Sequence, residues 1–111
     1  MNAEELKLKI KEIFGEDIIF NKEFGELAGL IKNIDDNLIS WCIQIKEGKI
    51  QPISKSILGD KIVFIRKIGS SERCLIIKIK NDGVKEVHLG NHKYYNEITQ
   101  RLGLKQSSNK Y

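Results

Sequence analysis

The spacing of apolar residues in this chain changes once, near residue 60, and that change decides what the chain can fold into. From Phe24 to Ile45 the apolar positions are Phe24, Leu27, Ile31, Ile34, Leu38, Trp41 and Ile45. Steps of three and four are the seam of one long helix or of two consecutive ones. After Gly59-Asp60 the pattern becomes that of strands, whose side chains alternate between two faces. Helices followed by a run of strands specify an α+β fold. The expected form is N-terminal helices packed on an antiparallel meander of three to four strands, closed by a C-terminal helix.

Local signals fill in this outline. Ala3–Phe14 sets Leu6, Ile10 and Ile13 at helical spacing, and Gly15 is a suitable stop. Asp17–Asn21 is either a short strand or an extended connector. Asp35-Asp36-Asn37 offers a break in the long seam, with Asp36 or Asn37 able to cap a second helix. Residues 38–53 admit two readings, because Ile43 and Ile45 also alternate with polar residues; the helical seam is favoured over a hairpin. The seam itself serves a core or a dimer interface, the core being favoured. Three strands are expected at Ile62–Ile68, Arg73–Lys80 and Val84–Leu89. Asn81-Asp82-Gly83 marks the last hairpin, since Asp-Gly accepts the positive φ of a primed turn. Asn91 then caps a helix running to about Leu102, with Gly103 beyond it.

With 111 residues the chain supports one domain, taken as 1–105, and Gln106–Tyr111 reads as a loose tail. No apolar run reaches the ~18 residues of a membrane span. The acidic N-terminus lacks the apolar core of a secretion signal, so the expected address is cytoplasmic. Cys42 and Cys74 lie in apolar runs without metal-ligand spacing and read as small buried hydrophobes. No phosphate loop, CxxC pair or serine-nucleophile motif is present, so no cofactor and no metal are expected. A His88-x3-His92 metal pair suits a helix face, but Gly90 and the strand context argue against it.

The net charge of +4 is unevenly spread. Residues 1–59 carry eight lysines against ten acids, a net −2, and residues 60–111 carry eleven cations against five acids, a net +6. A basic half joined to a mildly acidic one suits a scaffold with an anion-binding face. A plain solvated lysine-rich surface has the same composition. Within the basic half, register counting sets Arg73 at the strand start, its head at the rim of the sheet, beside the corner His92-Lys93-Tyr94-Tyr95. That corner has the parts for RNA cleavage without a metal. His92 serves as base or acid; Arg73, Arg66 and Lys93 stabilise a pentavalent phosphate; Tyr94 or Tyr95 donates a proton or stacks on a base. The catalytic candidates are thus Arg73, His92, Lys93 and Tyr95. Arg66, Lys67, Lys78 and Lys80 are the nucleic-acid contacts. One of the paired tyrosines is expected in the core, and His88 reads as structural.

Residues Ser56–Leu102 resemble the C-terminal half of RelE/ParE-superfamily toxins. The resemblance rests on Ile57-Leu58-Gly59, Ile65-Arg66-Lys67-Ile68-Gly69, Arg73-Cys74-Leu75-Ile76-Ile77, Asp82-Gly83 and Val87-His88-Leu89-Gly90-Asn91-His92-Lys93-Tyr94-Tyr95. It covers a little under half the chain. It implies ribosome-dependent mRNA cleavage, or gyrase inhibition in the ParE branch, and an antitoxin peptide wrapped over the basic face. The chain departs from the family by opening with a helix instead of a strand, and by lacking the arginine that usually follows the corner histidine. A non-catalytic nucleic-acid-binding module and a small viral or plasmid interaction domain, with a possible homodimer, are the alternatives.

Overall fold

The computed structural model describes residues 2–29, 31, 33–52, 54–55, 61–69 and 71–101. The chain runs α1 (Ala3–Phe14), β1 (Ile19–Phe20), α2 (Phe24–Ala28), α3 (Ile34–Lys46), β2 (Ser54–Lys55), β3 (Lys61–Lys67), β4 (Glu72–Ile79), β5 (Gly83–Asn91) and α4 (His92–Arg101). The α+β expectation holds: N-terminal helices cover an antiparallel meander and a C-terminal helix closes it. The sheet has five strands in the order β1-β5-β4-β3-β2, with β1 parallel to β5 and the other pairings antiparallel. Asp17–Asn21 therefore contributes an edge strand.

Each element follows from its residues. Asn2 and Glu5 form a reciprocal capping box at the start of α1, which leaves Leu6 and Ile10 facing the core. The break in the long seam falls between Ala28 and Ile34, earlier than the Asp35–Asn37 position read from the sequence. Asn33 takes the left-handed conformation there, at φ 58°. Asp35 and Asp36 occupy the first turn of α3, where carboxylates complement the positive end of the helix dipole. Helix α3 continues through Lys46, which settles residues 38–46 as helix rather than hairpin; Ile53 lies outside the described residues. Phe24, Ile34, Leu38, Trp41 and Ile45 are all buried, so the seam is core.

The sheet is sandwiched. One face carries Phe64, Cys74, Ile76, Val87 and Leu89 against α1, α2 and α3, and both cysteines are buried there. The opposite face carries Val63, Ile65, Leu75 and Ile77 under Tyr95 and Ile98 of α4. The β4–β5 hairpin forms where expected, but the positive φ values fall at Asn81 (69°) and Gly83 (92°) rather than at Asp82. A register shift lies beyond Ile77: Ile77 pairs with Glu86 and Lys78 with Val84. Lys85 is thereby left as the extra bulge residue, clear of Lys78, and bonds Asp82 at 3.5 Å. At the other end of β5 the Asn91 side chain accepts the Tyr94 N–H at 2.9 Å and caps α4, as the sequence predicts. Leu102, Gly103 and the tail lie outside the described residues.

Candidate functional site

On the α4 face, strand β5 presents Glu86, His88 and Gly90 in succession, because every second residue of a strand points the same way. Gly90 provides a gap. A Cβ built on it would lie 2.3 Å from Tyr94 Cδ1, so only glycine lets the Tyr94 ring rest on the strand. From that seat the Tyr94 hydroxyl reaches His88 Nδ1 at 2.6 Å, and His88 Nε2 meets Glu86 Oε1 at 2.8 Å. The result is a continuous carboxylate–imidazole–phenol chain. His88 is buried, whereas the Glu86 side chain remains 31% exposed and forms the open end. Tyr94 holds its proton above the ordinary phenol range, chiefly through burial and secondarily through Glu23; Arg101 and Asn21 oppose the rise.

Glu86 and His88 line a cavity of about 290 Å³ together with Lys61, Ile77, Ile98 and Arg101. Two cations, a carboxylate and an imidazole thus converge on one concavity. Cations there offset charge on an oxyanion, and a carboxylate held by an imidazole can accept a proton.

The residues singled out from the sequence are distributed differently. Cross-strand pairing sets Lys67 opposite Arg73 and Arg73 opposite Gly90, so Arg66, Lys67, Arg73 and the His92 corner share one end of the sheet, as register counting implies. Arg73 does not emerge at the rim. It is 8% exposed, its Nε lacks a partner among the described residues, and Nη1 reaches only the Glu72 carbonyl at 3.4 Å. Leu75 and Ile77 share its face and α4 closes over that face, which draws the guanidinium inward. Tyr95 is 3% exposed and packs into the α4-face core, its ring 5.9 Å from that of half-buried His92. Lys93 is exposed and lines a pocket of about 270 Å³ together with Glu23, Glu26 and Glu97. Lys78 lies at the far end of the sheet beside Phe14, Ile45 and Lys46. Lys80 is in the hairpin loop at that same end. Along β4, residues 73 and 78 are ~17 Å apart, so the four nucleic-acid candidates are not one patch.

The sequence reading passed over Glu86 and Arg101 and took His88 as structural. The available signal was a glycine in a strand two residues after a histidine and four before a tyrosine. No group of three or more His, Cys, Asp or Glu residues able to hold a metal occurs among the described residues. No helix among them is long and apolar enough to cross a membrane. Comparison with protein-family models, curated proteins and solved structures found no match to this chain.

Proposed function

We propose that the chain is a small metal-independent endoribonuclease of the RelE/ParE-toxin kind, acting on mRNA at the ribosome and held in check by an antitoxin protein. The observation that carries this reading is the Glu86–His88–Tyr94 chain, whose carboxylate end opens onto a cavity bearing Lys61 and Arg101. The reacting group is then Glu86, held in place by His88, rather than His92 and Tyr95. The free carboxylate oxygen of Glu86 takes the proton of a ribose 2′-hydroxyl. The 2′-oxygen bonds to phosphorus, and the bond from phosphorus to the 5′-oxygen breaks. Lys61 and Arg101 offset the charge of the pentavalent phosphate. The Lys61 ammonium or a water molecule protonates the departing 5′-oxygen, leaving a 2′,3′-cyclic phosphate and a 5′-hydroxyl. The exposed Arg66 and Lys67, at the end of the sheet, are the contacts for phosphates further along the strand.

The fold supports the family reading at one further point. Ile19–Phe20 enters the sheet ahead of α2 and α3, supplying the early strand that the family pattern calls for. Helix α1 remains an addition before it.

Induced expression in a bacterial host tests the proposal, with growth and mRNA 5′ ends followed together. Wild type and His92→Ala are expected to arrest growth and create new mRNA ends. Glu86→Gln and His88→Ala are expected to do neither. Normal growth with intact mRNA, from a folded wild-type protein, would overturn it.

A second reading rests on the same histidine. Both His88 ring nitrogens are occupied within the protein. This favours a nucleic-acid-binding module in which the chain only fixes α4, and it predicts steeply salt-dependent RNA affinity without scission.

A further inference from the structure

The bulge beyond Ile77 decides what stands opposite Lys78. On β4, Cys74 and Ile76 point toward the N-terminal helices, and Lys78 is the next residue on that face. A regular ladder continued from the Ile77–Glu86 pair would set Lys85 opposite it, and like charges directly opposite destabilise a sheet. The bulge sets Val84 there instead, and Val84 joins Val87 and Leu89 in the helix-side core. Lys85 turns away to Asp82. This face of the sheet thus exchanges a second cation for an apolar wall.

That wall closes a cavity of about 180 Å³, lined by Phe14, Ile45, Lys46, Lys78, Gly83 and Val84. Phe14 ends α1 and Lys46 ends α3, so two helix ends and the β4–β5 hairpin enclose it. Phe14, Ile45 and Val84 supply apolar surface, and the charged groups are two ammoniums. Among the described residues neither Lys46 nor Lys78 makes an ion pair, whereas Lys7, Lys9, Lys49 and Lys85 each do. Lys46 has a local role, since a cation suits the C-terminal end of α3. Lys78, half-buried on a strand, has no such role.

Size and charge together define a ligand. A cavity of about 150 Å³ takes one benzene ring, whereas drug-sized ligands need about 300–1,000 Å³. The space therefore suits one ring or one branched chain, and two cations call for an acid group on it. We propose that this cavity binds a small organic carboxylate, its apolar body seated on Phe14, Ile45 and Val84 and its acid group held by Lys46 and Lys78. The site lies on the opposite face of the sheet from Glu86 and His88, and it stands whether or not the chain cleaves RNA.

The test titrates the full ¹⁵N-labelled chain with benzoate, benzamide and inorganic phosphate, followed by ¹H–¹⁵N correlation spectra. Benzoate is expected to shift the amides of Ile45, Lys46, Lys78 and Val84 and to saturate. Benzamide lacks the charge and phosphate lacks the ring, so each should bind at least about tenfold more weakly. Lys78→Gln should weaken benzoate by about tenfold or more and leave benzamide unchanged, whereas a collapsed cavity would lose both. Should Lys78→Gln fail to fold, Lys46→Gln, at an exposed helix end, is read for the same split. Benzamide or phosphate binding as tightly as benzoate, a Gln variant that keeps full benzoate affinity, or no saturable shift at millimolar benzoate would each overturn the proposal.

Discussion

Gly90→Ala is the sharpest perturbation of this fold, because its effect should reverse sign with one other residue. The added Cβ would lie 2.3, 2.6 and 2.7 Å from Tyr94 Cδ1, Cγ and Cβ. Carbon atoms prefer separations of about 3.5–4.0 Å, so the ring must retreat by roughly 1 Å or more. A retreat of that size takes the hydroxyl out of bonding range of His88, now 2.6 Å away. Overpacking costs about 1–3 kcal/mol, and leaving a buried imidazole nitrogen without its partner costs about 1–3 kcal/mol. Alanine in place of strand glycine returns about 0.5–1 kcal/mol of backbone entropy. The net loss is about 1–5 kcal/mol, centred near 3, and at the centre the drop in Tm is roughly 12–24 °C for a domain of this size.

The partner for a double-mutant cycle must be Tyr94→Gly rather than Tyr94→Ala, since the tyrosine Cβ is itself one of the clashing atoms. In the Tyr94→Gly background the three atoms nearest the new methyl are gone, and Gly90→Ala should be neutral or stabilising by up to about 1 kcal/mol. The cost of glycine in the first turn of α4 is common to both arms and cancels. Urea unfolding followed by far-UV circular dichroism gives all four stabilities. An equal loss from Gly90→Ala in both backgrounds would refute the claim that Tyr94 is what requires glycine here.

Three other expectations are tested on the same footing. Leu38 is fully buried in the helical seam, so Leu38→Ala should cost about 2–5 kcal/mol. Leu38→Asp should unfold the chain in circular dichroism, rather than give a folded monomer on a sizing column. Burial pushes the Cys42 thiol from 9.0 up to about 12, and burial, with Cys42 adding to it, raises Cys74 well above 9.0. A thiol whose folded value exceeds its unfolded value stabilises fully below the unfolded one, so unfolding free energy should be level to about pH 9 and fall between there and about 12. Both thiols should also stay silent to a thiol reagent at about pH 8 until urea unfolds the chain. In RNA binding, Lys67→Ala should lower the slope of log affinity against log salt by about one, and Lys78→Ala should leave it unchanged.

Elements built from local signals were legible in the sequence: the Asn2 and Asn91 caps, the strands around Asp82-Gly83, and the buried spacing from Phe24 to Ile45. The position of the helix break was not. Asp35 and Asp36 resemble a loop, yet they are equally suited to a helix's first turn, and only the left-handed Asn33 before them places the boundary. Choosing between Tyr94 and Tyr95 required the phase at which α4 leaves β5, which sequence spacing leaves open by one residue. The Asn21 side chain bonds both the N–H and the carbonyl of Leu89, 68 positions away, and no local pattern announces a side-chain amide serving as a rung of a distant ladder. Arg73 was placed at the correct end of the sheet, but its burial depends on how α4 closes over that face.

Energetics separates a role of Glu86, His88 and Tyr94 in the fold from one in a reaction. Removing one partner of a buried hydrogen bond strands the other, so single substitutions here cost stability whatever the site does. Replacing both partners with apolar groups of similar shape is often close to neutral, since neither polar group is then left buried and unpaired. His88→Leu with Tyr94→Phe is such a replacement. The phenylalanine keeps an aromatic ring over Gly90, and the leucine continues the apolar face of Leu75 and Ile77, while the partly exposed Glu86 passes to water. The double variant should therefore unfold within about 1 kcal/mol of wild type, while each single change loses about 1–3 kcal/mol. If the site is catalytic, this equally stable protein should cause no growth arrest and leave mRNA intact. A double variant that loses several kcal/mol would show the polar chain to be a structural element, and one that still cleaves mRNA would move the chemistry to the Arg73 end of the sheet.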